Sequence, residues 1–298
     1  MGLLALAALV SSLLLCAALV PLTRPLAHVL GAIDVPGPRK HHAGPTPRLG
    51  GVALAVSFLA VVLTGYLVAP RLALEWPSLQ EPLSMLREAP RVGGKLMAVL
   101  AGATICFAVG LLDDVLGTRF PVLAKLGGQL VAALVVAAGD VRISILPAEW
   151  MNVVLTVVWI VGMTNAFNLL DNMDGLASGV GLAASLVFLL NAWFLGELFI
   201  VLLLAAFMGS LGGFLLHNAP PARVFLGDCG SLFLGCTMGS LTLLERYVSH
   251  ASSSLFPVLM PVVVLAVPLI DTLTVVVVRL KERRPVYVGD RLHLSHRL

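Results

Sequence analysis

Short carboxylates, carboxamides and histidines recur in this chain in tight groups, most of them at the end of an apolar run. Asp113 and Asp114 close the run that ends Leu111-Leu112. Adjacent residues on a helix point about 100° apart. One carboxylate of the pair can therefore face a bound cation while the other meets a basic neighbour such as Lys125. Taken alone, the pair reads equally well as a polar stop to an apolar helix. In NAFNLLDNMDGLAS, residues 165–178, Asn165, Asn168 and Asp171 stand at i, i+3 and i+6 and share about one helical face, and Asp174 and Gly175 follow in a turn. Polar groups in the last turns of an apolar helix are costly unless they face partners or a wet cavity. Three carboxamides and two carboxylates within ten residues favour a ligand site over plain helix–helix hydrogen bonding. In FLGDCGSLFLG, residues 225–235, Gly227 and Gly230 flank Asp228 and permit close backbone approach to a ligand. Ser231 is placed to cap the helix that follows, and Asp228 also suits the positive end of that helix. The basic groups form two clusters: Arg39, Lys40, His41, His42 and Arg48 in DVPGPRKHHAGPTPRLGG (34–51), and Arg283, Arg284, Arg291, His293, His296 and Arg297 near the end. Lys and Arg there serve topology and anionic headgroups, but neutral histidines add little to either. Asp271 follows Pro268 about two turns before Arg279, which suits a functional group or a structural ion pair equally. Clustered carboxylates beside basic residues are the equipment for holding a divalent cation and phosphate groups.

What must position these residues is a set of membrane helices. The chain of 298 residues is 59% hydrophobic and 12% charged, with mean hydropathy +1.00, whereas soluble domains are about 45–50% apolar and about 25% charged. Apolar runs near the roughly 20 residues of a spanning helix recur along almost the whole length. The expected fold is all-α, a single polytopic membrane domain over 1–298 with about nine transmembrane helices: 2–22, 49–69, 96–112, 121–139, 151–170, 175–194, 197–216, 231–247 and 255–278. The first run has no basic residue before it, which fits a transmembrane helix with its N-terminus outside rather than a cleaved signal. The C-terminus is then cytoplasmic. That orientation puts 13 of the 19 Lys and Arg inside, as the positive-inside rule prefers. It also gathers eight of the nine Asp on the inside, leaving Asp140 outside, while six of the seven Glu fall outside. Such sorting of short carboxylates points to a metal or phosphate site at one face. The net charge of +3 does not indicate nucleic acid, and the four cysteines contain no CxxC pair, so neither a disulfide framework nor a zinc site is expected.

In this order, the segments resemble the polyprenyl-phosphate N-acetylhexosamine-1-phosphate transferase family (glycosyltransferase family 4). The likeness is carried by Asp34 with RKHHAGPTPRLGG, LLDD, NAFNLLDNMDGLA, FLGDCGSLFLG, PLID (268–271) and the terminal HLSHRL, and it runs from about residue 30 to the end. The RKHH and PRLGG loop and the DNMDG form look more like the bacterial undecaprenyl-phosphate GlcNAc-1-phosphate transferase branch than the phospho-MurNAc-pentapeptide branch. The resemblance implies Mg²⁺-dependent (or Mn²⁺-dependent) attack of undecaprenyl phosphate on the β-phosphorus of a UDP-N-acetylhexosamine at the cytoplasmic face of the bacterial plasma membrane, releasing UMP and starting a cell-envelope glycan. Membrane lipid and a second copy of the chain, as a homodimer, are the further partners considered, and the residues themselves do not fix the oligomeric state. By motif position, Asn168 and Asp228 are the metal ligands. Asp113 and Asp114 serve the metal or the lipid phosphate, and Asp171 and Asp174 belong to the nucleotide-sugar site. His293 and His296 complete the catalytic set, with Arg39, Lys40, His41, Arg48, Lys125, Asn165, Arg291 and Arg297 binding substrate.

Two positions depart from the family pattern. Ser295 stands where a third histidine is usual, and family members usually continue with further transmembrane helix beyond HLSHRL, so the chain is expected to lack the family's last helices. A secondary transporter for an anion or a metal is the alternative from another class, but transporter sites usually lie near the bilayer midplane in broken helices, and here the polar groups lie at one face. A CDP-alcohol phosphotransferase uses DG-x-x-A-R with further Asp, and DGLASGVGLAAS (174–185) has neither that Arg nor those Asp.

Overall fold

The computed structural model describes residues 2–35, 44–75, 89–244 and 259–281. Arg39, Lys40, His41, His42, Arg283, Arg284, Arg291, His293, Ser295, His296 and Arg297 lie outside the described residues. The chain is an all-α polytopic membrane protein. Its helices are α1 Gly2–Leu30, α2 Gly50–Glu75, α3 Ala89–Leu116, α4 Val122–Ala138, α5 Glu149–Leu170, α6 Leu176–Phe194, α7 Leu198–Asn218, α8 Gly227–Leu244, α9 Met260–Val264 and α10 Ala266–Lys281. A 3₁₀ turn, Gly117–Arg119, joins α3 to α4. Among the described residues, six helices (α1, α2, α3, α5, α6 and α7) are long and apolar enough to cross a membrane. The other three expected spans appear as α4, of 17 residues, as α8, of 18 residues, and as the broken pair α9 and α10. The break has a local cause. Pro268 offers no N–H to the carbonyl of Val264 and its ring crowds that carbonyl, and α9 stops at Val264.

The first helix runs eight residues past its expected end at Leu22, through Pro21 and Pro25. Pro21 leaves the carbonyl of Ala17 without its helical donor, and His217 of α7 fills the place, with Nε2 at 3.1 Å from that oxygen. The same seam is closed by small residues. Gly209 packs on the backbone of Leu9 and Leu13, and Gly213 on Leu13, Cys16 and Ala17. The contacts advance in step along both helices, so α1 and α7 run parallel. Close approach through a small-xxx-small face is how helices associate where lipid supplies no hydrophobic drive.

At the centre stands α8, buried at every position from Cys229 to Thr242. Its composition, rich in Gly, Cys, Ser and Thr, lets neighbours approach its backbone. Gly110 of α3 meets the backbone of Asp228 and Cys229, and Gly235 lies against Met163 and Thr164 of α5. Trp159 of α5 donates from Nε1 to the Gly239 carbonyl at 3.2 Å and to Thr242 Oγ1 at 3.0 Å. Elsewhere the core is aromatic, with Phe58 edge-on to Phe207 at 5.4 Å and to Phe233 at 5.9 Å.

A small hairpin precedes α2. Its strands, β1 Ile33–Asp34 and β2 Thr46–Pro47, pair antiparallel with Ile33 opposite Pro47. The segment after β2 then docks on the entry to α8. Phe225 N–H donates to the Pro47 carbonyl at 2.8 Å, Gly50 N–H to Phe225 at 3.0 Å and Gly51 N–H to Leu226 at 2.8 Å. The PRLGG and FLGD segments, far apart in sequence, are thus one backbone-paired unit beneath the carboxylates.

Candidate functional site

The end of α3, the start of α4, the end of α5, the turn into α6, the end of α7 and the start of α8 meet at one end of the bundle, and each brings a polar residue. Lys125, in the first turn of α4, bridges two carboxylates: its Nζ lies 2.8 Å from Asp113 Oδ2 and 3.0 Å from Asp228 Oδ2. The expectation that one member of the acidic pair meets Lys125 is met by Asp113. Asp228 uses its other oxygen to accept from the Asn168 amide, and that amide also donates to Ser231 Oγ at 2.8 Å.

Asp114 does something different. It is 4% exposed, and its two oxygens accept the backbone N–H groups of Asp228, at 3.0 Å, and Cys229, at 2.8 Å. The first N–H groups of a helix have no partner within it, so Asp114 of α3 caps α8 from the side. The expected cap, Ser231, lies one turn inside α8, because the helix begins at Gly227 rather than at 231. Gly227, at φ +75°, passes directly over the Arg48 carbonyl and the Asp114 carboxylate, where a side chain would collide.

Asn165 is brought near the cluster but turned to another task. Its amide donates to Gln129 of α4 and, at 2.8 Å, to the Val161 carbonyl. Gln129 is one turn below Lys125 and buried. The Asn165–Gln129 pair fixes α4 against α5 and so sets where Lys125 stands.

Asp171 ends α5 and Asp174 opens the turn to α6. Asp174 accepts the Ala222 N–H at 2.9 Å. Asn218 does the rest of the joining: its Oδ1 accepts the Gly175 N–H at 3.0 Å and the Ser178 hydroxyl at 3.3 Å, while its Nδ2 donates to the Val224 carbonyl at 3.0 Å. Asp171 keeps part of its surface open, but closely surrounding protein pushes its carboxyl well above the usual carboxylate range, and the negative charges of Asp228, Asp114 and Asp174 push it the same way. Arg48, at the hairpin, points its Nη1 towards Asp34 at 3.7 Å, and its backbone N–H donates to Ala32 at 3.0 Å.

Gln129, Asn218 and Ser231 are the organising residues that motif reading missed or misassigned. A lone Gln within an otherwise apolar run, four residues after Lys125, was a usable signal for the first. Asn218, before a pair of prolines, reads as any helix end. Asp271 and Arg279 both lie on the buried stripe of α10 with Pro268 and Val275, a helix that packs on α5.

Among the described residues, no group of three His, Cys, Asp or Glu side chains converges as a metal cage. The arrangement still fits a Mg²⁺-type ion, which takes one or two protein carboxylates and completes its shell with water and substrate phosphates. Five carboxylates gather here and Lys125 is the cation in contact with two of them. The opposite end of the bundle carries a balanced set instead: Asp140 pairs with Lys95 at 3.3 Å and Arg142 at 3.1 Å, and Arg142 also with Glu149.

The sequence from 96 to 245 matches the family model described as glycosyl transferase family 4. A Bacillus subtilis (strain 168) protein named probable undecaprenyl-phosphate N-acetylglucosaminyl 1-phosphate transferase is 33% identical, over 98% of this chain and 76% of its own length. A Mycobacterium leprae decaprenyl-phosphate N-acetylglucosaminephosphotransferase is 31% identical over 92% of this chain and 71% of its own. A Shouchella clausii phospho-N-acetylmuramoyl-pentapeptide-transferase is 30% identical over 81% and 71%.

Proposed function

Because this chain belongs to glycosyl transferase family 4, we propose that it transfers a sugar-1-phosphate, with N-acetylglucosamine as the default sugar, from a UDP-sugar to undecaprenyl phosphate and releases UMP. An oxygen of the lipid phosphate forms a bond to the β-phosphorus, the bond from that phosphorus to the bridging oxygen breaks, and the electron pair leaves on UMP. The observation that carries the reading is the convergence of Asp113, Asp228, Asn168 and Lys125 at one end of an apolar bundle. A water-soluble donor reaches such a site from the aqueous side, while a lipid acceptor keeps its tail in hydrocarbon and brings only its phosphate.

Donor and acceptor are both anions, so their meeting requires positive charge. Asp228 and Asn168 would hold a Mg²⁺ or Mn²⁺ ion, with Asp113 beside it. When bound, such an ion neutralises the diphosphate and takes up charge developing on the leaving phosphate. Lys125 supplies a mobile positive charge to the same phosphates. Asp114 fixes the position of Asp228 through the α8 backbone. Little general-base help is required of Asp113, because a phosphate monoester has a second pKa of about 6 and is mostly dianionic at pH 7. Asp171 and Asp174 serve the nucleotide-sugar, and the basic residues predicted around 39–48 and 291–297 neutralise the remaining phosphate charge. The site faces the cytoplasm of the plasma membrane in this reading, as the distribution of Lys and Arg supports.

The test is UMP release by purified protein with undecaprenyl phosphate and a panel of UDP-GlcNAc, UDP-GalNAc and UDP-MurNAc-pentapeptide, with and without Mg²⁺. Release with UDP-GlcNAc that needs both lipid and metal is expected. Release with UDP-MurNAc-pentapeptide alone would move the chain to the other branch, and failure of all three donors to release UMP in the presence of lipid and metal would refute the reading.

A further inference from the structure

Lys125 occupies an unusual place for a substrate-binding residue. Its ammonium sits between Asp113 and Asp228 within contact distance of both, with 18% of the side chain exposed. Asp228 is also the carboxylate that the Asn168 amide addresses. Without a counter-charge, Asp113 and Asp228 would repel each other across this gap, and Asp114, Asp171 and Asp174 would add to the repulsion. A lysine is suited to the task and to giving it up: it carries a compact point charge on a flexible four-carbon stem and, unlike arginine, makes no forked, directionally fixed pair.

We infer that Lys125 is the site's internal stand-in cation, which bridges Asp113 and Asp228 before a divalent cation binds and is displaced towards the substrate phosphates when one does. The inference rests on the metal reading of the proposed function and adds a competition to it. An ammonium and a divalent cation cannot share one pair of carboxylates without strong like-charge repulsion at such distances. The displaced ammonium stays on a short tether at the start of α4, where the incoming diphosphate is the nearest new source of negative charge. The exchange keeps a positive charge between Asp113 and Asp228 throughout the cycle: the lysine before the metal binds, then the metal, with the lysine moved to the phosphates.

The experiment measures Mn²⁺ affinity on the purified full chain, from the EPR signal of free Mn²⁺, together with thermal midpoints in detergent. Lys125→Gln removes the competing charge, so its Mn²⁺ dissociation constant is expected to fall about tenfold. Its metal-free midpoint should fall by several degrees, and saturating Mn²⁺ should close the deficit. Lys125→Arg holds both carboxylates in a fork, so its Mn²⁺ binding should weaken. Opposite shifts in the two variants are not expected of a lysine that only packs. If Lys125→Gln binds Mn²⁺ no more tightly than the parent, while Asp228→Asn abolishes binding, the stand-in role is wrong and the metal reading survives. If the parent itself binds no Mn²⁺, both are wrong. If Lys125→Gln does not fold, unchanged or tighter binding in Lys125→Arg overturns the inference by itself.

Discussion

Asp113 and Asp114 are neighbours in sequence with separate tasks. Asp113 meets an ammonium, while Asp114 holds two backbone N–H groups. Substitution should separate catalytic charge from architecture. Asp228→Asn should lower turnover by roughly two to three orders of magnitude with a thermal midpoint near that of the parent. Asp114→Ala should lower the midpoint as well, because a buried donor left without an acceptor costs about 1–3 kcal/mol. Asp140→Asn is the control, since Asn tolerates the left-handed backbone at φ 62° and the residue lies at the other end. Similar losses in Asp228→Asn and Asp140→Asn would remove the site assignment. Asp171 makes a pH-dependent statement. Its folded pKa is raised above the unfolded value of about 3.9, so its contribution is fully favourable below that value and is lost as pH rises through the folded pKa. Ionising Asp171 in the folded protein therefore costs stability. In metal-free buffer, the midpoint of Asp171→Asn minus that of the parent should grow as pH rises from about 4 towards the raised folded pKa; a gap that stays constant with pH would contradict the assigned burial and repulsion. Much of this cluster was legible in the sequence, because carboxylates at helix ends within apolar runs have few ordinary uses. The division of labour between Asp113 and Asp114 was not, because it depends on where α8 begins in space relative to α3.

Helix boundaries were readable wherever hydrophobicity alone decided them, and went astray where a tertiary contact did. The first span was expected to end at Leu22, yet α1 continues to Leu30, and α7 supplies a donor to the carbonyl that Pro21 orphans. The ninth run looked continuous and is broken at Leu265, one turn before Pro268. In α8 the small residues blur the apolar signal, but they are what let three helices approach one backbone. The α1–α7 seam offers a direct check. A side chain at 213 would meet Leu13, Cys16 and Ala17, so Gly213→Leu should cost about 1–3 kcal/mol or more through overpacking. It should lower the thermal midpoint without changing Mn²⁺ affinity, because Leu13, Cys16 and Ala17 contribute no group to the carboxylate cluster. Gly212, whose added Cβ would find only a loose contact with Leu13, should tolerate Ala; equal sensitivity at 212 and 213 would argue against the seam.

Among the described residues, the two ends are polar in different ways: carboxylates gathered about Lys125 at one, and matched ion pairs around Asp140 and Arg142 at the other. A bilayer imposes such a division, since charge is tolerated only where helices emerge. The four native cysteines are all buried, so introduced thiols can be read against a low background. In intact cells, Gly44→Cys and Asn172→Cys should react only with reagents that reach the cytoplasm, and Asp140→Cys with impermeant reagents from outside. Reversal of that pattern would overturn the orientation, and labelling of Gly44→Cys and Asn172→Cys from opposite sides would overturn the one-sided site.

The bond from His217 to Ala17 joins residues 200 positions apart. A ribosome adding about 5–20 residues per second needs ~10–40 s to make that stretch. For all that time α1 is a newborn helix with an uncapped carbonyl and a face of small residues, and the segment that satisfies both has not been made. Among the described residues, five further apolar helices emerge in the interval, any of which can offer the wrong partner. The protein therefore has a vulnerable interval during its own synthesis, in which α1 needs shelter from the insertion machinery or from lipid until α7 arrives. A photocrosslinker at Leu13 should capture lipid or the insertion machinery in ribosome-stalled chains ending before residue 209, and α7 in chains long enough for residue 217 to have left the ribosome; the same partner captured at both lengths would mean that α1 finds its place without α7.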